Sequence, residues 1–203
     1  MKYRLIEITK INLDELNIIK NIIYSSNSNT LIARLGKSFI IKFLKLCINS
    51  QKSNLFVYKN FEGEIIAYAI FFKKQKYINM EIKNLRFTII LEILIRLKIN
   101  LLYDVMRIYF NKDLKLLDMD NLVILKNSVN LTYLAVDKKY RNQGIGKEFL
   151  ENIINNNYRN LNISVETDNK NTLNFYEKYM DFKIVGSRIR AKNNLYLLIK
   201  QIN

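Results

Sequence analysis

Apolar side chains recur along this chain with two spacings, and the switches between them mark out its elements. Tyr3 to Ile8 reads as a strand, and Leu13 to Ile23, with Leu16, Ile19 and Ile23 on one stripe, as a helix. The polar run Ser25 to Thr30 is a loop, and Gly36 to Ile48 predicts a second helix. Leu55 to Tyr58 and Ile65 to Phe72 flank Asn60-Phe61-Glu62-Gly63-Glu64, which predicts an antiparallel hairpin with Gly63 at a positive φ.

From Glu81 onward, Glu81, Asn84, Thr88, Glu92, Arg96, Asn100 and Asp104 recur at three to four residues, the solvated stripe of a long or broken helix. The remaining surface of that segment is apolar and has to be covered. Packing on the same chain is the plain reading, a homodimer interface or substrate lid the next, and peripheral contact with membrane headgroups the last. Leu131 to Val136 then reads as a buried strand, Asp137 to Gln143 as a loop, and a helix begins near Gly144, striped by Ile145, Phe149, Leu150, Ile153 and Ile154. Ile163 to Val165 predicts a strand, Asn169 to Tyr179 a short helix, and Phe182 to Ser187 with Leu195 to Ile199 two closing strands. The fold class is therefore α/β in the broad sense (α+β), a sheet flanked by helices.

Composition bounds the chemistry. At 203 residues, 49% hydrophobic and 25% charged, the chain is expected to form a single domain over 1–203, with no linker or repeat and enough core to fold alone. Collagen-like and mainly disordered chains are excluded. There is no His, so a Ser-His-Asp triad, an imidazole base and a His-ligated zinc site are excluded. A single Cys excludes an intrachain disulfide and a multi-thiolate site, so no metal is expected and a reducing cytoplasm fits. That residue, Cys47, lies in the apolar run Phe39 to Ile48 and reads as core.

The net charge of +15 favours anionic ligands, although a Lys-, Asn- and Ile-rich composition accounts for it equally well. The basic residues form no block of five, so nucleic acid is not the expected partner. Met1 to Glu7 has no apolar run after its basic residues, hence no signal peptide is expected. Phe87 to Phe110 is interrupted by Glu92, Arg96, Lys98, Asn100, Asp104 and Arg107, too often for a membrane span. A cytoplasmic location is the expectation.

The segment with chemistry is Val136-Asp137-Lys138-Lys139-Tyr140-Arg141-Asn142-Gln143-Gly144-Ile145-Gly146-Lys147. A buried strand running into a basic, glycine-containing helix start gathers backbone N–H groups and the positive end of a helix dipole, which suits a diphosphate. Gly144 and Gly146 let the backbone approach a ligand, while Arg141 and Lys147 add charge. A Walker loop fails because Arg141 and Glu148 stand where Gly and Ser or Thr are needed. A dinucleotide fingerprint fails because Phe149 replaces the third Gly.

What fits is Arg-x-x-Gly-x-Gly, as Arg141 to Gly146, after a strand ending Leu134-Ala135-Val136. With Asn169-Lys170-Asn171-Thr172-Leu173-Asn174-Phe175-Tyr176 following a strand through Val165, the chain resembles the GNAT superfamily of N-acetyltransferases over Leu131 to Ser187. The resemblance implies a mixed, mostly antiparallel central sheet flanked by helices, with a helical insertion over 73–128 before an acetyl-coenzyme A-binding core at 129–187. It implies that Leu134, Ala135 and Val136 offer a strand edge to the pantetheine arm, a backbone N–H there polarising the thioester carbonyl. Arg141, Asn142, Gln143, Gly144, Ile145 and Gly146 would cradle the pyrophosphate with help from Lys147, and Asn169 would bond the pantetheine. Tyr176 matches the general acid that protonates the departing thiolate.

Structural alternatives stand beside these roles: core packing for Tyr176, a solvated turn for Arg141 and Lys147, a helix cap for Asn169. The base is open among Glu166, Glu64, Asp104, Tyr133 and a water chain. Two departures are visible. Thr172 replaces the usual Ala, and Tyr179-Met180-Asp181 precedes Phe182 where two residues ending in Gly are common. The implied function is acetyl-coenzyme A-dependent N-acetylation of a small-molecule primary amine by direct attack, a nucleotide-linked amino sugar suiting the basic surface. Its acceptor site would be shaped by the hairpin, the second helix and the insertion. Protein or peptide N-acetylation, or a non-catalytic basic module for nucleic acid or ribosomes, are the alternatives.

Overall fold

A computed structural model describes residues 3–26, 30–95, 114–115, 119–190 and 193–201. The chain opens with β1 (Tyr3–Glu7), α1 (Leu13–Ser26), α2 (Leu31–Leu35) and α3 (Lys37–Asn49). Asn12 caps α1, its Oδ1 accepting from the Glu15 N–H at 2.8 Å. Gly36, at φ 102°, separates α2 from α3, a conformation that glycine adopts without a Cβ penalty. The hairpin follows as β2 (Ser53–Asn60) and β3 (Ile65–Phe72), turning through Gly63 at φ 81° as expected.

Next come α4 (Gln75–Asn84), α5 (Arg86–Ile95), the two-residue β4 (Leu114–Lys115) and α6 (Met119–Asn127). The remainder is β5 (Val129–Val136), a 3-10 turn at Lys138–Tyr140, α7 (Ile145–Asn157), β6 (Ile163–Thr167), α8 (Lys170–Asn174), a π turn at Phe175–Tyr179, β7 (Lys183–Arg190) and β8 (Asn193–Lys200).

Among the described residues, eight strands join one sheet in the order β1-β2-β3-β5-β6-β8-β7-β4. Every pairing is antiparallel except β5 with β6. Each residue of β3 is buried, because the sheet is covered on both faces there. One face packs Leu55, Val57, Tyr68, Ile70 and Phe72 under α1, α2 and α3. The other packs Phe56, Ala69, Phe71, Leu131, Val165 and Leu198 under Phe149, Leu150 and Ile153 of α7. A third, small cluster sets Leu125 of α6 on Leu197 and Ile199. By strand alternation from Leu198, it lies on the same face as α1.

The insertion departs from expectation. The break at Leu85 is one of the two forms expected, but Glu81 (5% exposed) and Glu92 (7%) are buried, whereas Phe87 is 73% exposed beside the exposed Ile90 and Leu91. The stripe read as solvated is thus turned inward at both carboxylates. Partners explain Glu81: its carboxylate accepts from Ser50 Oγ at 2.9 Å and Asn84 Nδ2 at 3.0 Å, with Lys52 at 3.6 Å, so burial leaves no lone charge. Nor is the insertion wholly helical, since Leu114 and Lys115 pair with Arg188 and Ser187 at the sheet edge. Arg96, Asn100 and Asp104 lie outside the described residues. Among the described residues no helix is long and apolar enough to cross a membrane. Cys47 is fully buried and burial pushes its thiol up, as a core residue requires.

Candidate active site

The two parallel strands stay paired for only three residues, Val129 to Leu131 against Ile163 to Val165. Past that point β5 runs on to Val136, paired only with β3, while Glu166 and Thr167 of β6 pair only with β8. A bulge between Ile70 and Phe71 in the register places Thr132 as the extra residue where the strands part. Residues 132–136 therefore have no strand partner among the described residues on the side of the gap, where the Val136 carbonyl is taken up by Arg141. Leu134, Ala135 and Val136 all lie in this stretch.

The gap opens onto the start of α7. Gly144 caps that helix in the left-handed region at φ 77°, with no side chain to occupy the first-turn N–H groups. A Cβ built on Gly144 would meet nothing within 4 Å, so the space before the helix is open. Asn142 also has a positive φ, 60°, a conformation Asn tolerates better than most residues. These two left-handed residues turn the backbone of Arg141 to Ile145 around the helix mouth. Gly146 serves differently: a Cβ there would sit 3.6 Å from Val136 Cγ2 and 3.9 Å from the Phe175 ring, ordinary contact distances. It faces the strand and the π turn, so close packing rather than ligand approach describes its position.

The basic side chains are engaged. Arg141 donates from Nε to the Val136 carbonyl at 3.0 Å and from Nη2 to Ser26 Oγ at 2.6 Å, joining the strand end to the end of α1. Lys147 lies 3.8 Å from Glu151 along the exposed side of α7. Gln143 donates to the Lys139 carbonyl at 3.3 Å. The loop is tied down from the other side by Tyr140, whose hydroxyl donates to Glu64 Oε2 at 2.7 Å.

Asn169 caps α8, its Oδ1 accepting from the N–H groups of Asn171 at 2.8 Å and Thr172 at 3.3 Å. The following π turn widens the helix by one residue, which accommodates the extra residue before Phe182. Asp181 then takes φ 56° at the position where Gly is common. Tyr176 sits in this turn, 4% exposed, its ring 5.2 Å from those of Phe175 and Phe182. No described residue hydrogen-bonds its hydroxyl. Burial pushes the phenol well above its ordinary range, so it stays protonated at neutral pH.

The candidate bases are separated. Glu64 is taken up by Tyr140 and Asn60. Tyr133 packs edge-on against Phe43 on the α1 face. Glu166, the first β6 residue beyond the last β5 pair, is ion-paired with Arg188 of β7. Asp104 lies outside the described residues. Asn142 was expected in the cradle but not its left-handed backbone, and Ser26 and Arg188 were not expected at the site. An Asn two residues before a helix-capping Gly could have flagged that conformation, but nothing local marks Ser26 or Arg188.

Comparison with known proteins agrees with this geometry. Residues 113–182 match the acetyltransferase (GNAT) domain. A histone acetyltransferase HPA2 and related acetyltransferase from Corynebacterium glutamicum superposes with a TM-score of 0.62 at 13% identity, covering 100% of this chain and 98% of the other. The ribosomal-protein-S18-alanine N-acetyltransferase from Escherichia coli gives 0.56 at 13%, covering 99% and 94%. Spermidine N-acetyltransferase from Vibrio cholerae, in complex with CoA and spermine, gives 0.57 at 10%, covering 99% and 96%. No curated protein matches the chain by sequence. Residues 113–182 thus carry a match to the acetyltransferase (GNAT) domain, and the chain as a whole shares the fold of these acetyltransferases.

Proposed function

We propose that this protein transfers the acetyl group of acetyl-coenzyme A to a primary amine on a small, anionic molecule, a nucleotide-linked amino sugar being the first class to test. The carrying observation is the parting of β5 from β6 directly before the left-handed Gly144. A thioester-bearing arm can pair with the β5 edge at Leu134 to Val136 while its diphosphate meets the N–H groups of Asn142 to Gly146. The open space around Gly144 fits such a ligand. Arg141, Lys147 and Asn169 are the side chains assigned to this ligand, and each already has a protein partner.

Acetyl-coenzyme A supplies an activated acyl carbon. The chain then has three tasks. The β5 edge aligns the thioester carbonyl, and a backbone N–H of that edge stabilises charge on its oxygen. Tyr176, kept neutral by burial, gives its proton to the departing sulfur. The neutral amine attacks the acyl carbon directly as the C–S bond breaks, and the proton its nitrogen sheds is taken up by water or by the Tyr176 phenolate, so neither His nor a reactive thiol is needed.

The acceptor class follows from charge. A net charge of +15 repels polycations and draws anions toward the site, which favours a phosphorylated amine over a polyamine or a basic protein tail. Calorimetric titration with acetyl-coenzyme A, beside a Gly144→Arg control, tests the cofactor groove. Saturable binding lost in the control is expected; a folded wild type that does not bind overturns the reading. Coenzyme A release with nucleotide-linked amino sugars, polyamines, aminoglycosides and peptides tests the acceptor, and turnover on peptides alone would remove the sugar.

A further inference from the structure

Two apolar clusters occupy the α1 face of the sheet, one under α1 to α5 and one under α6. Between them the face is polar. Asn130 and Ser164, paired across β5 and β6, are buried and hydrogen-bonded at 3.2 Å, with Thr132 Oγ1 donating to Asn130 Oδ1 at 2.8 Å. Glu166 continues this strip, and Arg188 of β7 completes it by donating from Nη2 to Glu166 Oε2. Both side chains are mostly buried, at 20% exposure for Arg188 and 13% for Glu166.

The pair stands at the fork where β5 and β6 part, on the face opposite the α7 layer that contains Tyr176. An amine approaching the thioester from this face must pass it. One donor there is left over: Arg188 Nε is buried and has no hydrogen-bond partner among the described residues. A buried guanidinium donor without an acceptor is costly, and an incoming oxyanion removes that cost.

Resting on the proposed acetyl transfer, we infer that Arg188 reads the acceptor, its Nε–H donating to a carboxylate or phosphate oxygen near the acceptor amine, while Glu166 holds the guanidinium in place. Arg188 is thus a specificity-determining residue, and the acceptors are amines that carry an oxyanion.

The test titrates the full-length protein, with and without saturating coenzyme A, against glucosamine, glucosamine 6-phosphate, glutamate and glutamate diamide. The same four compounds are then assayed with acetyl-coenzyme A. In the wild type, one oxyanion-bearing amine is expected to exceed its neutral counterpart by at least about tenfold in affinity or kcat/KM. Preference for the phosphate member or the carboxylate member identifies the source. Arg188→Met should erase the preference while coenzyme A affinity stays at the wild-type value. Because that change leaves Glu166 buried alone, the double variant Arg188→Met with Glu166→Gln removes both charges and should show the same loss. Equal use of charged and neutral amines by the wild type overturns the inference, as does a preference that survives both variants. Failure of acetyl transfer is read separately. If anion binding remains dependent on Arg188 but coenzyme A does not bind, the acetyl-transfer reading falls and the anion site stands.

Discussion

The Tyr140 hydroxyl donates to Glu64 Oε2 at 2.7 Å across 76 residues of chain, so the glycine turn is braced by the β2–β3 hairpin. The Glu64 carboxylate in turn pushes the Tyr140 phenol up, which keeps the donor protonated. Tyr140→Phe should weaken acetyl-coenzyme A binding several-fold in calorimetry with little change in melting temperature, because the bond orders a surface loop rather than the core. Unchanged affinity would mean that the loop holds its shape without the brace.

Tyr176→Phe keeps the ring packed between Phe175 and Phe182 and removes only the hydroxyl. It should lower kcat by roughly 10²-fold or more while leaving coenzyme A affinity within a few-fold. Since burial raises this phenol above its ordinary value of 10.0, the wild-type kcat should show no loss from its ionisation until the pH exceeds that value. Full activity in the variant across pH would remove Tyr176 as the acid.

The two glycines of the turn should separate. At Gly144, φ 77° makes any Cβ strained, so Gly144→Ala should destabilise by about 1 kcal/mol and Gly144→Asn by less. Both should lose cofactor affinity, because the side chain enters the open groove. Gly146→Ala finds ordinary contacts with Val136 and Phe175 and improves helix propensity, so it should be neutral or stabilising by up to about 1 kcal/mol with binding retained. Chemical denaturation and calorimetry on the three variants check both halves.

Alkaline pH should unfold the protein by a definite route. Burial raises the phenols of Tyr58, to about 12, and of Tyr158 and Tyr176 above 10.0. Each neutral phenol in the folded state faces an unfolded state that ionises near 10. The resulting stability is complete below pH 10 and is lost as pH rises through the folded values. Phenolate absorbance from these residues should therefore grow together with the loss of circular dichroism; ionisation well before unfolding would contradict their burial.

Much of the site was legible because its demands are local. A strand ending Leu134-Ala135-Val136, a turn with Gly144, and a second helix bearing Tyr176 follow one another in the chain, and each reports a backbone need or a packing stripe a few residues long. The hairpin at Gly63 was legible for the same reason. Glu81 and Glu92 were misread because a polar residue at helical spacing looks solvated until its partners are known. Besides the neighbouring Asn84, the partners of Glu81 come from the α3–β2 connection, about thirty residues earlier in the chain.

Periodicity and turn chemistry, written along the chain, sufficed for a mixed sheet flanked by helices and for a glycine-capped helix start after β5. Three features arose only when distant segments met. The strands part after Leu131 and Val165, the Arg141 guanidinium turns to Val136 and Ser26, and Arg188 closes on Glu166 across β8. A helix stripe or a left-handed glycine depends on neighbours within a turn or two, so composition and spacing carry it. The fate of a charged side chain depends on which strand the sheet order lays beside it, and that order comes from burying all the apolar faces at once.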